Sequence, residues 1–110
     1  MGPLNKFHVL GTETYLHEIK NLSKEYQEAA EKIPSKLAEN PLLGKPLGYP
    51  FLREKRIKEK RIYYLIYEEL KLVLLVAVSG KKDQQDTINH IQGNFEEFKK
   101  VAEEIIKQVS

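Results

Sequence analysis

The 110-residue sequence contains no cysteine. It therefore has no means to form a disulfide framework, a thiol nucleophile or a zinc–thiolate site. Long apolar runs are also lacking, because the longest near-continuous one, 72–78, is far too short to cross a bilayer. The N-terminus does not show the charged-then-apolar order of a signal peptide. We expect a soluble, cytoplasmic protein that uses no metal and no other cofactor.

The composition is that of one globular domain. Apolar residues make up 41% of the chain and charged residues 31%, which excludes a disordered or fibrous protein. A chain of this length buries one core rather than two, so we expect residues 1–110 to form a single domain. Abundant Lys and Glu, with one Met, resemble the usage of thermophile proteins.

The basic residues are concentrated in one segment. The whole chain has a net charge of only +2, but residues 45–61 contain seven Lys and Arg against two Glu, a local net charge of +5. Such a segment in a nearly neutral domain indicates an anionic partner, most simply nucleic acid. An edge hairpin kept soluble by lysines would show the same charges, so both interpretations stay open at this point.

The apolar pattern of the first third predicts a strand followed by helices. A short apolar stretch, 7–10, ends at Gly11 and is typical of a strand. From Thr12 the apolar residues recur every three or four positions, which predicts one or two amphipathic helices. Ser23 can cap a second helix, which would make two antiparallel helices. Pro34 requires that helix to kink or to restart.

The middle of the chain predicts an antiparallel meander. Residues 40–50 contain three prolines and two glycines and are expected to form a loop. Three runs rich in β-branched, aromatic and aliphatic residues follow at 51–57, 61–67 and 72–79. Their short connections favour antiparallel pairing. The third run is apolar at both alternate sets of positions, which predicts a central strand covered on both faces.

After Gly80 the pattern is helical again. A short helix is predicted at 83–91 and a longer one from about Asn94. The longer helix needs a surface, either the sheet or a partner, to cover its apolar stripe of Phe95, Phe98, Val101 and Ile105. The order of elements predicts an α+β domain: an antiparallel sheet with two N-terminal helices on one face and an additional C-terminal helical segment from about residue 83.

Four short segments carry a resemblance to a known superfamily. They are 40–47 (NPLLGKPL), 52–57 (LREKRI), 60–64 (KRIYY) and 74–83 (LLVAVSGKKD). With the order of elements, they resemble the RelE/ParE toxins over roughly residues 6–90. The resemblance implies the RelE-like fold and the toxin of a type II toxin–antitoxin pair, which inhibits translation by cleaving mRNA as a ribosome-dependent, metal-independent endoribonuclease. The implied partners are a cognate antitoxin, mRNA and the ribosome, with a homodimer as a further possibility.

The resemblance also implies roles for particular residues. In the RelE-like pattern, the arginine that opens the third strand contacts the scissile phosphate, and Arg61 occupies that place. Arg56 matches a second family arginine, and Lys82 matches the basic residue after the last strand. Many ribosome-dependent members carry a tyrosine in the next segment. Residues 82–91 contain none and offer His90 as the acid.

These residue types suit RNA cleavage without a metal. The reaction must deprotonate the 2′-hydroxyl, stabilise the charge on the phosphate and protonate the leaving oxygen. The planar guanidinium groups of Arg61 and Arg56 can each bind two phosphate oxygens. Tyr63 shares a strand face with Arg61 and can stack on a base, whereas Tyr64 should face the helix-covered core. The expected RNA-binding residues are Lys45, Arg53, Lys55, Lys58, Lys60 and Tyr63.

Each assignment has a structural alternative. Arg56 can pair with Glu54 or Glu59 on a solvated hairpin, Tyr63 can pack against a neighbouring strand, and His90 can be an ordinary surface residue. The missing tyrosine also leaves two other functions open. One is a catalytically inactive RelE-fold module that binds RNA or protein, and the other is a ParE-like gyrase inhibitor. An antitoxin is a further candidate for covering the stripe of the last helix.

Overall fold

The computed structural model describes residues 6–109, and every strand predicted from the sequence is present. In chain order the elements are β1 (His8–Gly11), α1 (Glu13–Lys20), α2 (Lys24–Glu31), α3 (Ile33–Glu39), β2 (Lys45–Pro46), β3 (Leu52–Ile57), β4 (Lys60–Tyr67), β5 (Leu72–Gly80), α4 (Gln84–Gln92) and α5 (Phe95–Val109). Two 3₁₀ turns, Pro41–Leu43 and Glu68–Leu70, complete the order. The prediction of one domain over 1–110 includes residues 1–5 and 110, which lie outside the described range.

The five strands form one sheet in the order β1-β5-β4-β3-β2. Neighbours from β2 to β5 pair antiparallel, and the mixed α+β fold class is confirmed. The expected antiparallel sheet gains one parallel pair, between β1 and β5. Three helices lie between β1 and the next strand, so no hairpin constrains its direction and β1 joins the far edge.

A β-bulge interrupts the pairing of β4 with β5. Tyr63 lies opposite Ala77, whereas the next residue, Tyr64, lies opposite Leu75. Val76 is therefore the extra residue on β5. Because of this residue, Val76 and Ala77 both face the side of α4 and α5, and the alternation of side chains along β5 reverses at that point.

The N-terminal helices begin where the sequence pattern places their signals. Thr12 caps α1, since its side-chain oxygen accepts a hydrogen bond of 3.1 Å from the Tyr15 amide. The predicted second helix is divided into α2 and α3, and Pro34 is the second residue of α3, as a restart at this proline requires. Within residues 6–109, no helix is both long and apolar enough to span a membrane.

Helices cover both faces of the sheet, so the domain has two cores, one on each face, and the expectation of a single core is wrong. The first core lies under α1, α2 and α3 and contains Tyr15, Ile33, Leu37, Ile62, Tyr64, Val73 and Leu75. The second lies under α4 and α5 and contains Leu52, Tyr63, Leu65, Leu72, Leu74, Ile91 and Ala102. The positions of Tyr64 and of β5, which is covered on both faces, are confirmed. Phe95, Phe98 and Ile105 pack on the second core, so three of the four residues of the α5 stripe pack on their own sheet, whereas Val101 is exposed.

Candidate nucleic-acid interface

Strand pairing brings basic residues from two distant segments to one end of the sheet. Lys60 lies opposite Gly80 and Arg61 opposite Ser79, so the turn between β3 and β4 lies beside the C-terminal end of β5. Lys81 and Lys82 follow β5 directly and are exposed. We call this region the basic end and define it by Arg56, Lys58, Lys60, Arg61, Lys81 and Lys82.

The two faces of the β3–β4 hairpin carry different members of the basic end. Arg56 lies opposite Arg61 in the ladder, and both belong to the face covered by α4 and α5. Lys60 belongs to the other face, where its Nζ lies 5.4 Å from the centre of the Tyr26 ring. Lys58 pairs with Glu25 of α2. Their hydrogen bond lowers the pKa of Glu25 and raises the pKa of Lys58.

Arg61 is the one charged residue that is buried within the described range, with 8% of its surface exposed. Its Nε lies 3.7 Å from Oε2 of Glu54, whose side chain is 11% exposed. The other Glu54 oxygen accepts a hydrogen bond of 2.9 Å from Gln84, the first residue of α4. Nε and Nη1 of Arg61 have no hydrogen-bond acceptor among residues 6–109. The guanidinium therefore has one carboxylate nearby, and the three N–H groups of Nε and Nη1 remain to be satisfied.

Tyr63 lies beside Arg61 on β4, but its ring is fully buried. Its hydroxyl forms a hydrogen bond of 2.8 Å with Oγ of Ser79, in which either oxygen can be the donor, and Ser79 Oγ also lies 3.0 Å from the Gly80 carbonyl oxygen. Burial raises the pKa of Tyr63, although the Ser79 hydrogen bond opposes that shift. The Tyr63 ring packs between strands and helices, which agrees with the alternative that Tyr63 serves packing. It offers no exposed face for a nucleobase.

Arg53 holds the loop that precedes β3. Its Nε donates to the Pro50 carbonyl at 2.8 Å, and its Nη1 donates to the carbonyls of Leu42 and Gly44 at 3.2 and 2.8 Å. Most N–H groups of the Arg53 guanidinium therefore donate hydrogen bonds within the protein. Two other expected RNA-binding residues are more accessible: Lys45 is exposed on β2, and Lys55 is half-buried on β3.

The same loop is anchored by Tyr64. The Tyr64 hydroxyl donates to the Pro41 carbonyl at 2.6 Å and accepts from the Gly44 amide at 2.8 Å. Gly44 is required here, because a Cβ atom would lie 2.5 Å from the Glu54 carbonyl oxygen. The anchored loop fixes the edge of the sheet beside Glu54.

His90 does not lie with Arg61. It is exposed on α4 and lines a cavity with Val76 and Val78, and Arg61, Glu54 and Gln84 are not among the described residues that line this cavity. Gln84 and His90 are six residues apart on α4, which corresponds to about 9 Å along the helix axis. Lys82 is closer to the cluster in sequence, since it precedes α4 at the basic end.

The contact between Glu54 and Gln84 was not predictable from the sequence. Glu54 is recognisable as a possible partner of an arginine, but Gln84 is one of several polar residues at the start of a predicted helix. They are 30 positions apart and meet only because α4 folds back over the end of β3. The buried partner of Arg61 is therefore Glu54, and Gln84 holds Glu54 in place.

No protein-family model matches the sequence, and no curated protein matches it. Solved structures do match. A mutant of the E. coli toxin RelE in the free state superposes with a TM-score of 0.65 at 18% identity, over 78% of this chain and 98% of that one. The RelBE2 toxin–antitoxin complex of Mycobacterium tuberculosis gives 0.59 at 24% identity, over 69% and 92%. The archaeal RelE–RelB complex of Pyrococcus horikoshii gives 0.57 at 16% identity, over 69% and 96%. These likenesses cover almost all of each neighbour and show that this chain has the RelE fold.

Proposed function

We propose that this protein is the toxin of a type II toxin–antitoxin pair and that it cleaves mRNA on the ribosome in the cytoplasm. The RelE fold supports this proposal, since two of the neighbours described above are complexes of toxin with antitoxin. The basic end supports RNA as the substrate, because clustered Lys and Arg side chains bind a phosphate backbone through charge and the release of counterions. A cognate antitoxin would then cover this surface.

The unsatisfied N–H groups on Nε and Nη1 of Arg61 are the observation that carries the proposal. A buried donor without an acceptor costs about 1–3 kcal/mol, so Nε and Nη1 are expensive to keep in a purely structural arginine. A phosphate offers several acceptor oxygens in the geometry of the guanidinium fork. Arg61 therefore has the donors that a phosphate needs, and Arg56 lies opposite it in the ladder.

Glu54 decides when Arg61 is accessible. In the structure the Glu54 carboxylate occupies one side of Arg61, and both side chains are about nine-tenths buried. A phosphate reaches Arg61 once Glu54 turns away from it, which also breaks the hydrogen bond to Gln84. In the proposed reaction Arg61 and Arg56 stabilise the charge that develops on the phosphate, and Lys82 holds the RNA backbone.

The leaving oxygen needs an acid, and His90 is the assigned candidate. Because His90 lines a separate cavity, this role requires α4 to move relative to the sheet. Replacing His90 by alanine should reduce cleavage severely if His90 is the acid. A small effect would leave protonation to solvent or to Lys82.

The decisive experiment maps mRNA 5′ ends after incubation of translating ribosomes with three proteins: the wild type, Arg61→Ala and Lys100→Ala. Lys100 is a matched control, because it is a cation on α5, far from the basic end in sequence, with 75% of its side chain exposed. We expect new 5′ ends with the wild type and with Lys100→Ala but not with Arg61→Ala. Cleavage by Arg61→Ala at the wild-type rate would remove Arg61 from the mechanism.

A second function has a specific observation in its favour. The buried ion pair of Arg61 with Glu54 and the distance of His90 also suit a RelE-fold module that binds RNA without cleaving it. Such a protein would bind RNA with a steep dependence on salt and would produce no new 5′ ends at any concentration. The mapping experiment therefore separates the two functions when RNA binding is measured with the same preparation.

A further inference from the structure

A cavity of about 560 Å³ opens near the edge of the sheet that is opposite to β2 and β3. It lies between α1, β5, α4 and α5. Its charged lining includes Glu13, Glu18 and Asp86, and its apolar lining includes Val76, Val78 and Val101. No lysine or arginine is among the described residues that line it; His90 and three threonines complete its polar part.

The cavity runs along an open edge of β5. The last residue of β1, Gly11, lies opposite Leu75, and within residues 6–109 no strand pairs with 76–80 on that side. Val76, Ala77 and Val78 all line the cavity. Even with the bulge at Val76, these side chains point to both faces of the sheet, so a cavity that touches all three must follow the strand edge itself. An unpaired strand edge is a template for another strand.

One backbone group of this edge is already held by a side chain. The Val78 amide donates to the Glu18 carboxylate at a long distance of 3.3 Å. A backbone carbonyl from an added strand would be a better acceptor in the same place. The exchange would also release the Glu18 carboxylate, which could then pair with a basic side chain of the added strand.

The charge of the lining specifies the kind of segment that fits. Glu13 and Glu18 flank the edge from α1, and Asp86 flanks it from α4. None of these three carboxylates forms a salt bridge within the described residues. Val101, 38% exposed on α5, supplies an apolar contact. A segment that carries both lysine or arginine and aliphatic side chains is complementary to this lining.

We propose that this cavity binds an extended, basic segment of a partner protein, which adds to the edge of β5 as a strand. Backbone hydrogen bonds to residues 76–80 supply part of the affinity, and the carboxylates of Glu13, Glu18 and Asp86 select basic side chains. The proposal does not rest on RNA cleavage, because its observations involve neither Arg61 nor Glu54, although the candidate acid His90 lines the same cavity.

The test uses the whole protein and three synthetic hexapeptides. The first alternates lysine and valine, the second alternates glutamate and valine, and the third is the lysine peptide with proline at its two central positions. Binding is measured by fluorescence anisotropy, and hydrogen–deuterium exchange reports on the amides of 76–80. We expect binding of the lysine peptide alone, together with slower exchange of these amides.

Two variants locate the site. Glu13→Gln/Asp86→Asn should weaken binding of the lysine peptide by about tenfold, because two ion pairs are lost. The matched control, Glu28→Gln/Glu96→Gln, changes two exposed carboxylates outside the cavity lining and should leave binding unchanged. Thermal midpoints equal to that of the wild type establish that both variants are folded.

Several results would overturn the proposal. They are the absence of binding at millimolar peptide, equal binding of the glutamate peptide, and equal loss of binding in the control variant. Equal binding of the proline peptide would show that the segment does not add as a strand. Self-association of the protein that Glu13→Gln/Asp86→Asn abolishes would make a second copy the occupant instead.

Discussion

Replacing Glu54 by glutamine should destabilise the protein far more than replacing Glu54 and Arg61 together. Glutamine keeps an oxygen for the hydrogen bond from Gln84 but removes the counter-ion of Arg61. Methionine at position 61 keeps an unbranched chain but removes the charge and the unsatisfied N–H groups. The single and double variants therefore separate the cost of an unpaired buried charge from the value of the pair.

The magnitude follows from the burial of the two groups. Removing one member of a buried ion pair costs about 3–5 kcal/mol. Since the side chains of Arg61 and Glu54 keep 9% and 11% exposure, we expect the lower end for Glu54→Gln, about 3 kcal/mol. In a domain of this size that corresponds to a fall in thermal midpoint of roughly 15 °C. The double variant Glu54→Gln/Arg61→Met should lie within about 1 kcal/mol of the wild type or above it, because apolar replacement of a buried pair is often neutral or stabilising.

Urea unfolding followed by circular dichroism, on the wild type, both single variants and the double variant, measures this coupling. The control cycle uses Glu97→Gln and Lys100→Met, an exposed pair at 3.8 Å whose coupling should stay below about 0.5 kcal/mol. Additive effects of Glu54→Gln and Arg61→Met would refute the reasoning. A double variant that is stable but cleaves no mRNA would show that Arg61 serves function rather than stability.

Three further predictions concern catalysis, the backbone and alkaline stability. Arg61→Lys should slow mRNA cleavage by on the order of a hundredfold while RNA affinity falls much less, because lysine keeps the charge and loses the guanidinium fork. Single-turnover cleavage measures the rate and filter binding measures the affinity. Equal losses of rate and affinity would contradict this prediction. Gly48→Ala should lower the free energy of unfolding by about 1 kcal/mol, because φ at this position is +90° and a Cβ atom would contact no other residue. Gly80→Ala is the control and should cost much less, because its surroundings are equally open and its φ is ordinary. Equal effects of the two substitutions in thermal unfolding would exclude the backbone explanation. Burial raises the pKa of Tyr15 and Tyr67 from 10.0 to about 12, so this part of the stability is complete below pH 10 and is lost as the pH rises towards 12. Circular dichroism from pH 9 to 12 should show a later loss of structure in the phenylalanine variants, and an unchanged midpoint would mean that these tyrosines do not control it.

Most of the fold was predictable because its signals are local. The apolar run of β5, the recurrence of apolar residues along α5 and the position of Pro34 each act within a few residues, and each indicated the element that the structure contains. The parallel pairing of β1 was not predictable in this way. It depends on how three helices return the chain to the opposite edge of the sheet.

The sequence predicts which residues belong to the candidate site, but it does not predict what surrounds them in the fold. Strand alternation correctly placed Arg61 and Tyr63 on one face, since it depends only on the backbone. Whether that face is open depends on where α4 docks, and α4 brings Gln84 to Glu54 from 30 positions away. The donors of Arg53 likewise meet carbonyls whose positions are set by the loop rather than by the strand pattern.

The bulge at Val76 makes the length of β5 a determinant of the basic end. Deleting Val76 would restore an even ladder with β4, and Ala77, Val78 and Ser79 would keep their partners and their faces. Deleting Val78 with the bulge in place would instead turn Ser79 away from Tyr63 and reverse the facing of the chain before Lys81. Loss of Val78 is therefore expected to be more harmful than loss of Val76, because only the loss of Val78 reverses the segment that leads to the basic end.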